Sequence, residues 1–132
     1  MFKKLDHIAI VVKNLDAAVK VFSEKYGFKA GETMTGPNQS FKAIMISAGD
    51  IRLELFEPID PKGNMARFLK EKGGGLYHLA VSTDNIENEM KTLKDKGVRL
   101  ANEKPVSIAG ARIAFIDAES AENVSIEMVQ RV

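Results

Sequence analysis

An α+β fold of two tandem βαβββ modules is predicted for this chain on three observations. These are an internal repeat, a regular alternation of strand-like and helix-like spacing, and one matched histidine and glutamate in each repeat. The repeat lies in LDHIAIVVKNLDAAVKVFSEKYGF around His7 and LYHLAVSTDNIENEMKTLKDKGV around His78, the only two histidines. The 71 positions separating His7 from His78 also superpose Ala9 on Ala80, Asn14 on Asn85, Lys20 on Lys91 and Lys25 on Lys96, and a one-residue slip brings Gly27 onto Gly97.

The first element is a strand over 5–12, LDHIAIVV, because β-branched side chains dominate it. Asn14 then opens a stretch with Leu15, Ala18, Val19 and Phe22 at helical spacing, and Gly27 closes it in the usual position after a helix. Three strand-like runs follow, at about 28–35, 41–48 and 51–57, the last two joined by a hairpin turn at Gly49-Asp50. From residue 76 the order restarts. LYHLAVST reads as a strand, and an Asn85-capped helix with Ile86, Met90 and Leu93 inward runs to Gly97. Strands are expected near 98–103, 111–117 and 123–130.

The halves, about 1–58 and 74–132, are joined by a linker over 59–73. Two prolines and a glycine triplet bracket a short amphipathic helix there, Asn64 to Lys72, with Met65, Phe68 and Leu69 on one face. Such a segment is either functional or a cap over a sheet edge. At 132 residues and 45% apolar, the whole chain is read as one domain, 1–132, able to bury a real core. Nineteen basic against eighteen acidic side chains, interspersed, show no nucleic-acid or membrane footprint. With no cysteine there is no disulfide, thiolate metal site or cysteine nucleophile. The start at Met1, Lys3 and Lys4 without a cleavable apolar segment leads to a cytoplasmic expectation.

The chemistry is concentrated in two glutamates placed inside apolar alternation. Glu54 stands 47 positions after His7 in IRLELFEP, and Glu127 stands 49 after His78 in VSIEMVQ. Counting by two puts Glu54 on the face of Arg52 and Phe56, and Glu127 on that of Ser125 and Val129, away from Leu53, Leu55, Ile126 and Met128. A carboxylate there requires a partner, and the first strand of each half can bring its histidine beside it. Two imidazoles and two carboxylates, His7, Glu54, His78 and Glu127, form a donor set for Co, Ni, Mn, Zn or Fe with positions left for water or substrate. Arg52, Lys42, Gln39 and Arg112 are candidate contacts for an anionic substrate. Ser40, Ser107 and Ser120 lack a nearby histidine that is not already a ligand, which disfavours a hydrolytic triad.

These residues resemble the vicinal oxygen chelate superfamily, which includes glyoxalase I, extradiol dioxygenases, bleomycin-resistance proteins and methylmalonyl-CoA epimerases. Within it, LDHIAIVVKNLDAA, LELFEP, ARFLKEKGGGLYHLAV, KGVRLANEKP, GARIAFID and VSIEMVQ follow the order and spacing of the methylmalonyl-CoA epimerase family. The resemblance implies a curved half-barrel mixed sheet with a metal-lined cleft, a divalent ion on His7, Glu54, His78 and Glu127, and commonly a homodimer. It implies an isomerase working through a metal-stabilised enolate, with Glu127 as base and Glu54 as its opposite-face partner, on an acyl-CoA thioester. A lactoylglutathione lyase of the glyoxalase I type, acting on a glutathione adduct, and a non-catalytic small-molecule-binding protein are the alternatives. The chain departs from the family at Ala43, where some bacterial epimerases carry a non-ligating glutamate. It also departs at Tyr77, where His-His is usual, and at Asp117-Ala118-Glu119-Ser120, where a basic turn is usual.

Overall fold

The computed structural model describes all 132 residues, which gather into two compact units: His7–Tyr77, and Met1–Asp6 together with His78–Val132. The linker therefore belongs with the first repeat, and the first six residues with the second. Each unit carries one expected βαβββ module except for the start of its leading strand, since Leu5 and Asp6 of the first module fall in the second unit and residues 75–77 of the second module in the first.

In the first, β1 (Leu5–Val11), α1 (Leu15–Tyr26), β2 (Lys29–Thr35), β3 (Phe41–Ala48) and β4 (Ile51–Pro58) place their strands in the order β2-β3-β4-β1. Only the β1–β4 pair is parallel. Asn14 caps α1 by accepting the Ala17 N–H at 2.9 Å, and Gly27 ends it at φ 75, where an L side chain would be strained. The inward face of α1 packs on one face of the sheet, where Leu15, Ile44, Ile46, Leu53 and Leu55 are buried with Phe22 and Phe28 against them. Fatty residues of β3 and β4 are thereby consumed on one side, leaving Glu54 on the other.

The helix α2 (Asn64–Lys72) lies on that other face, not at a sheet edge. Its Met65, Phe68 and Leu69 pack against Ala9, Val11, Ala43 and Phe56, and Tyr77 stands edge-on to Phe68 at 5.0 Å. The chain can return from α2 only through glycine. Gly73 caps the helix at φ 77, and a Cβ on Gly74, at φ 97, would sit 2.8 Å from the Val11 carbonyl oxygen.

The second unit repeats the plan with β5 (Gly75–Ser82), α3 (Ile86–Asp95), β6 (Val106–Ile108), β7 (Ala111–Ile116) and β8 (Ile126–Arg131), its strands in the order β5-β8-β7-β6. Asn85 accepts the Asn88 N–H at 3.0 Å, as Asn14 does in α1, and Ile86, Met90, Ala114, Ile116 and Met128 form the core under α3. Buried Asp6 is met by the Arg131 guanidinium at 2.6 and 3.3 Å, which offsets its desolvation.

Two boundaries differ from expectation. The strand expected over 98–103 is reduced to a single bridge between Leu100 and Ile116, and regular pairing appears only at β6. The last strand starts at Ile126 rather than 123, because a short 3₁₀ turn, Ala118–Ala121, and left-handed Glu122 and Asn123 occupy the connection.

Candidate functional site

Each unit builds one histidine–glutamate pair by the same register. Strands β1 and β4 run parallel with Ala9 beside Glu54, and β5 and β8 run parallel with Ala80 beside Glu127. Each histidine stands two residues before its alanine, on the same face. Both alanines are fully buried, and a methyl group leaves the space over which the carboxylate leans back to the imidazole. His7 Nε2 then lies 3.2 Å from Glu54 Oε1, and His78 Nε2 lies 3.7 Å from Glu127 Oε2. His7, His78 and Glu127 are buried, and the Glu54 side chain keeps 18% of its surface.

The donor spacing of the first pair fits metal ligation. With bonds of about 2.0–2.2 Å, a divalent ion holds neighbouring donors roughly 2.8–3.6 Å apart. The first pair falls within that span and the second just beyond it. The walls of the pairs differ: Met45 lies opposite Glu54, whereas Phe115 lies opposite Glu127 and stands edge-on to His78, ring centroids 5.4 Å apart.

Of the candidate cationic contacts, Arg52 shares the face of Glu54, opposite Ser47. Lys42 and Arg112 do not share the glutamate faces. Lys42 lies on the α1 face and reaches Glu57 at 3.6 Å, and Arg112 pairs with Glu87 of α3. That hydrogen bond from Arg112 holds the Glu87 carboxyl below its ordinary range. Gln39 sits in the 3₁₀ turn Pro37–Gln39 at positive φ. The Ser120 hydroxyl accepts the Arg99 N–H at 3.0 Å. Arg99 also meets Glu119 and approaches Asp117 at 3.8 Å, so one of the two charges of the acidic turn is offset within its own unit. Ala43 is fully buried in the apolar cluster with Phe56 and Phe41, where a carboxylate would be costly.

Two residues that organise the site escaped the sequence reading. Glu57 accepts the Leu15 N–H at 2.7 Å and Gln130 accepts the Ile86 N–H at 2.9 Å, each tying a helix start to the strand that carries the glutamate. Their signal was present: both stand three positions after the glutamate, Glu54-x-x-Glu57 and Glu127-x-x-Gln130.

Comparison with known proteins supplies the family. The model of the glyoxalase/bleomycin resistance protein/dioxygenase superfamily matches residues 6–115. The mitochondrial methylmalonyl-CoA epimerase of Bos taurus is 28% identical over 96% of this chain and 74% of its own length. The ethylmalonyl-CoA/methylmalonyl-CoA epimerase of Cereibacter sphaeroides is 26% identical over 98% of this chain and 99% of its own. Among solved structures, the methylmalonyl-CoA epimerase of Mycobacterium tuberculosis matches with a TM-score of 0.93 at 26% identity, covering 99% of this chain and 89% of that one. A variant of the Streptomyces coelicolor enzyme in complex with 2-nitronate-propionyl-CoA matches with a TM-score of 0.91 at 26% identity, covering 100% and 99%.

Proposed function

The chain belongs to the glyoxalase/bleomycin resistance protein/dioxygenase superfamily, and on that premise we propose that it is an isomerase that epimerises methylmalonyl-CoA. The observation that carries this is the similarity to methylmalonyl-CoA epimerases over nearly the whole chain, in sequence and in fold. It is joined by one buried histidine–glutamate pair in each unit.

The reaction inverts a carbon flanked by a thioester and a carboxylate. Its C–H proton is weakly acidic because the carbanion delocalises into the thioester carbonyl as a planar enolate. A nitronate of the kind held in the S. coelicolor structure is likewise an anion, planar at that carbon and with its charge on oxygen. His7, Glu54, His78 and Glu127 would hold a divalent ion, Co, Ni, Mn, Zn or Fe, which when bound supplies a Lewis acid worth several kcal/mol to the enolate. Glu127, as the carboxylate, takes the proton from one face, Glu54, as the carboxylic acid, gives one to the other, and exchange with solvent returns both to their starting states. No other glutamate or aspartate lies on the β3 and β4 face of Glu54, where Phe41, Ala43, Met45 and Phe56 surround it. This favours the two pair-forming carboxylates over a separate base. A homodimer and a cytoplasmic location complete the reading; no helix is long and apolar enough to cross a membrane.

The test is exchange of deuterium from solvent into C2 of methylmalonyl-CoA, before and after chelator treatment. Exchange that stops on chelation and returns with added metal is expected. Full exchange by metal-stripped protein would overturn the metal-dependent mechanism, and thioester formation from methylglyoxal and glutathione would replace the substrate.

A further inference from the structure

The edge strand of the second unit breaks beside the site. Leu100 bridges to Ile116 and pairing resumes only with Val106 opposite Ile113, so the edge chain takes six steps where β7 takes three. A bulge of that size ends the ladder at Phe115: its carbonyl keeps a ladder bond on the Ile116 side, and its N–H loses the backbone acceptor. Two neighbouring residues of the edge chain hold Phe115 there. The Ala101 N–H donates to the Phe115 carbonyl at 2.9 Å, and the Phe115 N–H donates at 2.7 Å to the side-chain carbonyl of Asn102. Asn102 thus stands in for the backbone acceptor that the bulge removes.

Phe115 is the wall of the His78–Glu127 pair. It lies opposite Glu127 in the β7–β8 register, and its ring meets the His78 imidazole at an interplanar angle of 77°. We infer that Asn102 is a positioning residue for that pair, acting through Phe115: it fixes the phenylalanine backbone, and the ring fixes the imidazole. The first unit needs no such clamp, because its bulge between Ala30 and Thr33 is shorter and β2 pairing continues on both sides of Met45. The role at the metal rests on the reading of His78 as a ligand, so the test includes measurements on metal-free protein.

Asn102→Ala, Asn102→Asp and Phe115→Leu are compared with wild type in the full chain. In metal-free protein, Asn102→Ala is expected to exchange its Phe115 amide hydrogen at least tenfold faster and to shift the His78 ring resonances. Loss of an edge-to-face contact corresponds to roughly a two- to tenfold loss of Co(II) affinity. In turnover, kcat falls while KM holds. Asn102→Asp, which retains an acceptor, restores all four. Phe115→Leu leaves the edge chain intact and reproduces the Co(II) effect, and if Asn102→Ala does not fold, Asn102→Ser, whose shorter side chain leaves the Phe115 N–H without its acceptor, is measured in its place. Unchanged His78 resonances in the folded Asn102→Ala or Asn102→Ser variant would overturn the inference. Co(II) that fails to bind wild type would instead remove the metal reading, while the His78 resonances still judge Asn102.

Discussion

Exchanging Glu127 for glutamine keeps the shape of the side chain and removes the charge, so it separates ligation from packing. In wild type, metal at one hundred times its dissociation constant should stabilise the fold by about 2.7 kcal/mol. An unfolding entropy of about 2.1 cal/mol/K per residue over 132 residues converts this to a rise in Tm of about 10 °C. Loss of a partner outside the ligand shell already weakens metal binding by about 10- to 100-fold, and loss of a ligand should cost at least the upper figure. At the same metal concentration the variant then gains only about 0.4 kcal/mol, or about 1.5 °C. The metal-free variant should melt within about 4 °C of wild type, since a single hydrogen-bond partner is worth about 1 kcal/mol. Turnover should fall by about 10²- to 10⁴-fold, the contribution of a positioned base. Thermal melts with and without metal, beside the deuterium-exchange assay, measure both effects. A variant that keeps the 10 °C rise and wild-type turnover refutes both the ligand and the base assignment.

Ala80→Val adds methyl groups at a fully buried point beside Glu127, and overpacking of that kind costs about 1–3 kcal/mol, or about 4–11 °C in Tm, with weaker metal binding; an unchanged melt would mean the alanine is not sterically required. Gly74→Ala meets the Val11 carbonyl at positive φ, so urea unfolding should show a loss of about 1–3 kcal/mol, whereas alanine at exposed Ser107 should change little. Burial holds the Tyr77 phenol above the ordinary tyrosine value of about 10. Its contribution to stability is therefore present in full below that value and is lost as pH rises through the raised one. Denaturation midpoints of wild type and Tyr77→Phe should diverge only in that alkaline window.

The helices were legible because their signals are local. Asn14 and Asn85 cap where they were expected to, and α2 spans Asn64–Lys72 as its apolar spacing indicated. The second edge strand was not legible. A run such as VRLANE has strand-like spacing, but Asn102 satisfies Phe115 with a side chain and Pro105 offers no N–H, so the ladder stops. Counting by two sets Arg52 on the face of Glu54, but Lys42 and Arg112 stand on strands without a glutamate, and a surface charge there carries no mark of the face it will occupy until its strand finds neighbours.

By itself the sequence determined the duplicated βαβββ plan, the resemblance to a family and the four residues His7, Glu54, His78 and Glu127 as candidates. All of these depend on periodicity and residue type along the chain. Only the tertiary structure decided that β1 and β5 lie parallel to β4 and β8 in a register that sets a buried alanine beside each glutamate, and so brings each imidazole to its carboxylate. Register is a choice among long-range pairings, fixed by the burial of Leu53, Leu55 and Met128 under the helices, and no local pattern encodes it.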